Sequence, residues 1–296
     1  MQNHPIRQLD GVKIAVPEKV AACTELMENK SDFVRNKQVT LAADGRALHE
    51  TARLYLGYIS LGLLCLLVSV LALPMRMVLP RVLSKRIGRQ LVSASFRVYL
   101  RFLSFMGACR FDLTELDSLQ GAPAMIIAPN HPSLLDALMI LSRLPGAVCI
   151  MKADIVNSLF WGAGSRLAGY IRNTPLRTMV QLSIADLHQG SHLLLFPEGT
   201  RTTRFPVGPM QGTTGLIAKH AGVAVQTVFI ETDSGFLGKG WSVWRAPKMP
   251  MTYRLRLGKR FDPPQHTARF VTELEQYFQA GLAHAQLPDF PVSPTS

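Results

Sequence analysis

Cysteine is rare in this chain, and the few that occur are not spaced as ligands or as bridges. Four cysteines are spread over 296 residues without a C-x-x-C pair, which excludes a zinc ribbon and gives no disulfide framework. The nucleotide signatures G-x-G-x-x-G and G-x-x-x-x-G-K-[ST] are missing, and so is the G-x-S-x-G nucleophile elbow. We therefore expect no metal site, no bound nucleotide cofactor and no hydrolase-type serine.

Acidic residues are scarce relative to basic ones. The chain has 32 Lys and Arg against 20 Asp and Glu, a net charge of +12. Such a balance predicts attraction to a polyanion. The cations cluster beside an apolar segment rather than among exposed aromatic residues, so we expect membrane lipids and no nucleic acid as the partner.

That apolar segment, residues 54–73, contains no charged side chain. A helix of this length spans about 30 Å, the thickness of the hydrocarbon core of a bilayer. It predicts a membrane helix, while a buried core helix and a shallow or re-entrant membrane helix remain open. The cations that follow it suit an anionic leaflet; they are Arg76, Arg81, Lys85, Arg86 and Arg89.

The next apolar stretch, residues 91–106, carries Arg97 and Arg101 four positions apart on one helical face. It predicts either an interfacial helix with snorkelling arginines or an ordinary surface helix of the globular domain. We divide the chain into an N-terminal region of unknown role (1–50), a membrane-associated helical region (51–107), a globular domain (108–285) and a disordered tail (286–296).

The globular domain alternates between strand and helix patterns. Strands are predicted over residues 124–128, 147–151, 193–196, 223–230 and 252–257. Helices are predicted over residues 134–144, 157–168, 176–189, 212–220 and 267–283. This alternation favours an α/β fold with a mixed sheet flanked by helices and preceded by the N-terminal membrane helix.

The strongest local signal is the NHPSLLD motif, residues 130–136, where a strand ends and a helix begins. His131 and Asp136 can meet only if the histidine lies in the loop and folds back over the first turn. In that arrangement Asp136 holds one imidazole nitrogen and leaves the other to take a proton. A purely structural, capping role for the two residues is the alternative.

A second motif, FPEGTRT at residues 196–202, also follows a predicted strand. Gly199 permits a tight turn and a close approach of the backbone to a ligand. Arg201 offers a planar, permanently charged fork for a phosphate. The alternative is a tight turn stabilised by a salt bridge.

Together the two motifs resemble the glycerophosphate and lysophospholipid acyltransferase family, which includes the bacterial lysophosphatidic acid acyltransferases. NHPSLLD is similar to the H-x4-D block of that family and FPEGTRT to its phosphate-binding block. The resemblance implies that His131 is the general base and Asp136 its partner. It further implies that the glycerol phosphate of the acceptor is held by Glu198, Gly199, Thr200 and Arg201.

Weaker similarities extend the implied site. Residues 169–173 resemble an acceptor-binding block and imply a phosphate contact for Arg172, although the aspartate of that block is missing here. Lys152 stands where the family often has a basic residue. The segments 209–212 and 223–225 lack the lysine and the proline of the family patterns, which puts the acceptor in doubt.

The resemblance implies an O-acyltransferase of phospholipid biosynthesis, with acyl-CoA or an acyl carrier protein thioester as donor and no bound cofactor. The expected acceptor is 1-acylglycerol 3-phosphate, giving phosphatidic acid, at a bacterial inner membrane with the domain facing the cytoplasm. Alternatives are another lyso-lipid acceptor, such as a lyso-ornithine lipid or a polyene-type lipid, a non-catalytic lipid-binding scaffold, or a hydrolase that releases fatty acid to water.

Overall fold

The structure is a computed structural model that describes residues 6–9, 12–15 and 18–283, with side chains over 45–158 and 162–283. The chain divides into two compact units, Met1–Ala52 and Arg53–Ser296. In the first, strands β1 (Ile6–Leu9) and β2 (Val12–Ala15) pair antiparallel, and helix α1 (Glu18–Val78) begins after them. The predicted tail at 286–296 lies outside the described residues.

Helix α1 includes the apolar segment 54–73. Residues Gly45–Val78 are long and apolar enough to cross a membrane by length and composition. One stripe of the helix is nonetheless packed on the second unit, because Leu54, Val68 and Ala72 are buried while Leu56, Leu63 and Leu67 are more than half exposed. Between Leu54 and Leu73 the helix therefore has one buried face and one apolar face that is largely exposed among the described residues.

Helix α2 (Arg81–Phe105) is amphipathic and packs on the globular part of the second unit. Tyr99 and Leu103 are buried, whereas Arg97 and Arg101 are exposed, as the four-residue spacing predicts. Gly88 is the point of closest approach, since a Cβ there would lie 2.5 Å from the backbone nitrogen of Ala168. A larger side chain would push the two segments apart.

The remaining elements form a mixed sheet covered by helices, which confirms the predicted fold class. The strands are β3 (Cys109–Asp112), β4 (Ile126–Pro129), β5 (Val148–Met151), β6 (Ile171–Arg172), β7 (Leu193–Leu194), β8 (Val225–Thr232) and β9 (Met251–Phe261). The helices are α3 (Asp136–Arg143), α4 (Ala153–Asn157), α5 (Leu159–Leu167), α6 (Leu176–His188), α7 (Thr213–Ala221) and α8 (Thr267–Leu282), with a 3-10 helix over Thr114–Leu119.

The order of strands in the sheet is β3-β9-β8-β4-β7-β5-β6. Strands β4 to β8 are mutually parallel, β9 runs antiparallel to β8, and β3 is parallel to β9. The carboxyl ends of five strands therefore meet at one edge. In open α/β sheets, ligands bind at that edge.

The helix predicted over 157–168 corresponds to α5, and Ser158 separates it from the short helix α4, which the sequence did not predict. At this boundary Arg166 Nη1 donates to the carbonyl oxygens of Val156 (2.6 Å) and Ser158 (2.9 Å). The guanidinium thus satisfies the Val156 carbonyl group at the end of α4, while the Ser158 carbonyl oxygen also accepts the Gly162 N–H at 3.0 Å. Arg89, predicted to face an anionic leaflet, is instead buried and paired with Asp186 at 2.9 Å.

Candidate active site

The NHPSLLD motif leaves β4 and leads into α3. Pro129 ends the strand, and the next residue, Asn130, continues its pairing through a side chain. The Asn130 amide donates to the carbonyl oxygen of Ile230 at 3.0 Å and accepts the Ile230 N–H at 2.7 Å. Because a primary amide presents the same donor and acceptor as a peptide group, it fixes the loop against β8 just before His131.

His131 folds back over the first turn of α3 and meets Asp136, as the spacing requires. The imidazole Nδ1 lies 2.8 Å from Asp136 Oδ2, and the same oxygen accepts the Ser133 N–H at 2.8 Å. With the carboxylate as acceptor, Nδ1 carries the proton and Nε2 keeps its lone pair. The ring of Phe196 stacks on the imidazole with 3.8 Å between ring centroids.

Asp136 is fully buried, whereas the His131 side chain is 15% exposed. Burial raises the pKa of the Asp136 carboxyl, and the hydrogen bonds from His131 and Ser133 and the charge of Arg201 oppose this rise. Asp136 Oδ1 has no hydrogen-bond partner among the described residues. The carboxylate is therefore held by His131 and Ser133 on one side only, and the histidine alone faces solvent.

Glu198 connects the two motifs. Its Oε1 accepts the His131 backbone N–H at 3.0 Å and the Thr202 hydroxyl at 2.8 Å, while Oε2 accepts the Gly208 N–H at 2.8 Å. Burial raises the pKa of this carboxyl, and the same three donors oppose the rise. Both carboxylate oxygens are thus engaged by the protein itself. Their effect is to hold the loops after β4 and β7 together.

The turn between Glu198 and Arg201 exposes Gly199 and Thr200 at the surface. Gly199 has φ of +68°, and a Cβ there would lie 2.2 Å from Gln211 Nε2. The positive φ strains other residues, and a side chain here would have to displace the Gln211 amide. The glycine therefore lets the Gln211 amide pack against the turn, whose Gly199 and Thr200 remain exposed.

Arg201 reaches across to the loop after β8. Its Nη1 donates to the carbonyl oxygens of Leu237 and Gly238, both at 2.8 Å. Leu237 has φ of +57°, a conformation that a leucine rarely adopts, and its carbonyl also accepts the Leu134 N–H at 3.2 Å. Within the part of the chain that the structure describes, the remaining Arg201 nitrogens have no hydrogen-bond partner.

Lys152 and Arg172 lie at the same edge of the sheet but farther from the histidine. Lys152 follows β5, Arg172 ends β6, and both are exposed. At about 4.8 Å per strand, two and three strand spacings place them roughly 10 and 14 Å from β4. The structure does not bring them into contact with the two motifs, and their role in binding stays a prediction.

Several residues of the site were not assigned a role from the sequence. Thr202 and Gly208 complete the donors around Glu198, Phe196 covers the imidazole, and the carbonyl groups of Leu237 and Gly238 hold Arg201. Phe196 and Thr202 are the first and last residues of the FPEGTRT motif and were within reach of sequence reasoning. The loop after β8 carried no signal, because it contributes carbonyl groups and a backbone conformation rather than side-chain chemistry.

Comparison with known proteins agrees with this geometry. Residues 110–231 match the family model described as Acyltransferase. The chain is 24% identical over 193 residues to a 1-acyl-sn-glycerol-3-phosphate acyltransferase of Pseudomonas aeruginosa, an alignment that covers 62% of this chain and 71% of the relative. The crystal structure of the 1-acyl-sn-glycerophosphate acyltransferase PlsC from Thermotoga maritima has the same fold, with a TM-score of 0.62.

That structural similarity covers 81% of this chain and 96% of the Thermotoga maritima chain at 18% sequence identity. The matched family region contains both motifs and the β-strands that position them. The chain is thus similar to the family model and to the relative in the region that carries both motifs, and it shares the fold of the structural neighbour.

Proposed function

We propose that the protein is a membrane-bound O-acyltransferase that moves a fatty acyl group from acyl-CoA or an acyl carrier protein thioester to 1-acylglycerol 3-phosphate, giving phosphatidic acid. The observation that carries the proposal is the 2.8 Å contact between His131 Nδ1 and buried Asp136, with Arg201 tied to the same loops. The substrate named for the Pseudomonas aeruginosa relative supports this acceptor.

The reaction follows from the free Nε2 of His131. It takes the proton of the acceptor hydroxyl as that oxygen attacks the thioester carbonyl carbon and forms the new C–O bond. The tetrahedral oxyanion, held by backbone N–H groups, then collapses, the C–S bond breaks, and the imidazolium returns the proton to the thiolate. Asp136 stabilises the imidazolium without itself taking the proton. No metal takes part in this scheme.

In this proposal the acceptor phosphate binds Arg201 and the exposed turn at Gly199 and Thr200. A guanidinium with open nitrogens beside an exposed turn suits a phosphate. Glu198 acts indirectly as a positioning residue, because its two oxygens already accept three protein hydrogen bonds. Lys152 and Arg172 are outer cations of the same edge, suited to the longer acyl donor.

The location that fits this chemistry is the cytoplasmic face of a bacterial inner membrane, since thioester donors are cytosolic. The α1 stripe packed on the protein extends from Leu54 to Ala72, so we propose that only its opposite, exposed face enters the lipid. A helix that spanned the bilayer alone would have lipid on all sides. Exposed Arg97 and Arg101 on α2 suit anionic headgroups.

The decisive experiment uses membranes that carry the wild-type chain or the His131→Ala variant, with labelled 1-acylglycerol 3-phosphate and each thioester donor in turn. We expect phosphatidic acid from the wild type and a loss of about 10²–10⁴ in rate for the variant, the usual contribution of a positioned base. His220→Ala, which removes an exposed histidine of α7, is the control and should keep full activity. Wild-type membranes that give no product with either donor would refute this acceptor.

The assignment of Arg201 is tested by comparing acceptors with and without a phosphate. Arg201→Ala should raise KM for 1-acylglycerol 3-phosphate by about tenfold or more, because charge-assisted hydrogen bonds are lost. A phosphate-free acceptor such as a lyso-ornithine lipid should be affected much less. Arg204→Ala is the control, as it removes an exposed arginine of the same loop. Equal losses for both acceptors would contradict the phosphate contact.

A further inference from the structure

The loop that joins β8 to β9, residues 233–250, contacts both catalytic motifs through its first half. Phe236 O accepts the Ser133 hydroxyl at 2.9 Å, and Leu237 O accepts both the Leu134 N–H at 3.2 Å and Arg201 Nη1 at 2.8 Å. We refer to it as the β8–β9 loop. Its backbone conformation therefore determines where the Arg201 guanidinium lies.

The second half of the same loop contacts the apolar helix α1. The Tyr58 hydroxyl donates to the Val243 carbonyl oxygen at 2.9 Å, and the rings of Tyr55 and Trp244 are 6.5 Å apart. The two halves are joined by Trp241, whose ring packs edge-on against Phe236 at 6.1 Å. One loop thus connects the exposed apolar helix with the residue that we assign to the acceptor phosphate.

The tip of this loop leaves large apolar side chains uncovered. Trp244 is 71% exposed and Val243 is 46% exposed, and they lie beside the exposed face of α1 that includes Leu56 and Ile59. Such an apolar surface on both elements marks an interaction site. Tryptophan is the residue most suited to the boundary between headgroups and acyl chains.

The charge of the loop is mostly positive. It has three exposed cations, Lys239, Arg245 and Lys248, against one carboxylate, Asp233, which lies at its start and accepts the Thr252 N–H at 2.8 Å. Arg245 lies over the Trp241 ring at 4.6 Å, which keeps its guanidinium next to the tip. Exposed apolar side chains on a loop with a net positive charge are complementary to a bilayer that contains anionic lipid.

We propose that Val243 and Trp244 insert into the interface of an anionic bilayer alongside α1, and that this contact sets the β8–β9 loop so that Arg201 meets an acceptor arriving from the lipid. Insertion would hold Val243 at a fixed depth in the bilayer. The Leu237 carbonyl group, at the other end of the loop, would then hold the Arg201 guanidinium at a fixed distance from the lipid surface. The first part of this inference is independent of the proposed function, and the second part rests on it.

The first part is tested by fluorescence of the full chain on vesicles of phosphatidylcholine and phosphatidylglycerol, with and without bromine in the acyl chains. Bromine quenches only tryptophans within the lipid. We expect quenching in the wild type that is largely lost in Trp244→Phe and retained in Trp241→Phe. If Trp244→Phe is quenched as strongly as the wild type, Trp244 does not enter the bilayer and the proposal fails, whatever the activity.

The second part is tested with two physical forms of the acceptor. Trp244→Ser should raise the apparent KM for acceptor embedded in anionic vesicles by about tenfold, while activity on a short-chain acceptor dispersed as monomers stays unchanged. Leu182→Ser, which alters an exposed leucine of α6, should change neither. If the activity of Trp244→Ser, relative to the wild type, is the same on both forms of the acceptor, the coupling between the loop tip and the site is refuted.

Three other outcomes are distinguishable. A KM increase only with the acyl carrier protein donor, without bromine quenching, would make the tip a docking site for that acidic protein and overturn the bilayer proposal. A change of oligomeric state in Trp244→Ser would indicate a contact between two copies and overturn it equally. Quenching without any acyl transfer by the wild type would uphold insertion and refute the proposed function with its coupling to Arg201.

Discussion

At the scale of the residue, the two buried carboxylates of the site have different tasks. Asp136 is hydrogen-bonded to the Nδ1 edge of the imidazole and also accepts the Ser133 N–H. Glu198 accepts hydrogen bonds from both motifs and from Gly208. Burial raises the pKa of each carboxyl. Keeping these carboxyl groups ionised, as the proposed chemistry requires for Asp136, therefore lowers the free energy of unfolding.

This cost predicts a dependence on pH. The ordinary pKa of Asp136 is 3.8 and its folded value is higher, so between the two the folded chain binds more protons than the unfolded chain. The Asp136 contribution to the free energy of unfolding is then greatest at low pH and declines as pH rises through the folded pKa. Asp136→Asn removes that decline, while activity falls by about 10²–10⁴ because the imidazole loses its partner.

The measurement is urea unfolding of the wild type and Asp136→Asn over a pH series in the same detergent. The difference in free energy of unfolding should shift in favour of the variant as pH rises above 3.8. Using the difference cancels the titration of the other carboxyl groups. A difference that does not vary with pH would show that the folded pKa is not raised.

At the scale of the element, α2 is fixed to the sheet by a buried guanidinium. Arg89 donates to Asp186 at 2.9 Å, to the Ser191 hydroxyl at 2.7 Å and to the Ala168 carbonyl oxygen at 3.0 Å. These partners belong to α6 and to the segments after α5 and α6. The pair attaches the helix, whose cationic face we assign to lipid, to the domain that carries the site.

Arg89→Ala should lower the free energy of unfolding by about 3 kcal/mol, the lower end of the range for a broken buried pair, because buried Asp186 keeps only Lys85 Nζ, at 3.3 Å, as a cationic partner among the described residues. Arg86→Ala, which removes an exposed arginine of the same helix, should stay within about 0.5 kcal/mol of the wild type. Denaturant unfolding of the two variants checks the comparison. The double variant Arg89→Met with Asp186→Leu should recover part of the loss, and no recovery would mean that other Arg89 contacts dominate.

At the scale of the whole molecule, the second unit combines a catalytic sheet edge with apolar surfaces. The loop after β8 contacts α1 and both motifs, so the site and the exposed apolar residues belong to one packed body. The exposed residues of α1 include Leu56, Ile59, Leu63 and Leu67. Their number and alignment explain the membrane association that we propose.

Replacing two of these residues should weaken binding to the membrane without unfolding the domain. Each buried leucine or isoleucine contributes about 1.5–3 kcal/mol on transfer from water. Ile59→Glu combined with Leu63→Glu should therefore move the protein from the floating to the soluble fraction in vesicle flotation. Leu182→Glu is the control on α6. If the double variant floats like the wild type, and added salt does not change this, α1 does not bind the membrane interface through its exposed face.

Much of this organisation could be predicted from the sequence, because it depends on local patterns. The alternation of apolar strands and helices predicted the mixed α/β sheet, and the NHPSLLD spacing predicted the contact of His131 with Asp136. The exposed positions of Arg97 and Arg101 followed from helical periodicity. Strand β3 and helix α4 were not predicted, since they have only four and five residues.

What the sequence by itself determined is the kind of chemistry: a histidine beside a carboxylate, a glycine turn with an arginine, and an apolar segment flanked by cations. Only the tertiary structure decided that Glu198 joins the motifs, that Arg89 is buried rather than on a lipid-facing surface, and that one loop connects α1 with Arg201. The physical reason is that residue types and short spacings are encoded locally. Whether a charged side chain is buried and paired or exposed depends on the donors and acceptors that the folded chain brings next to it from distant positions.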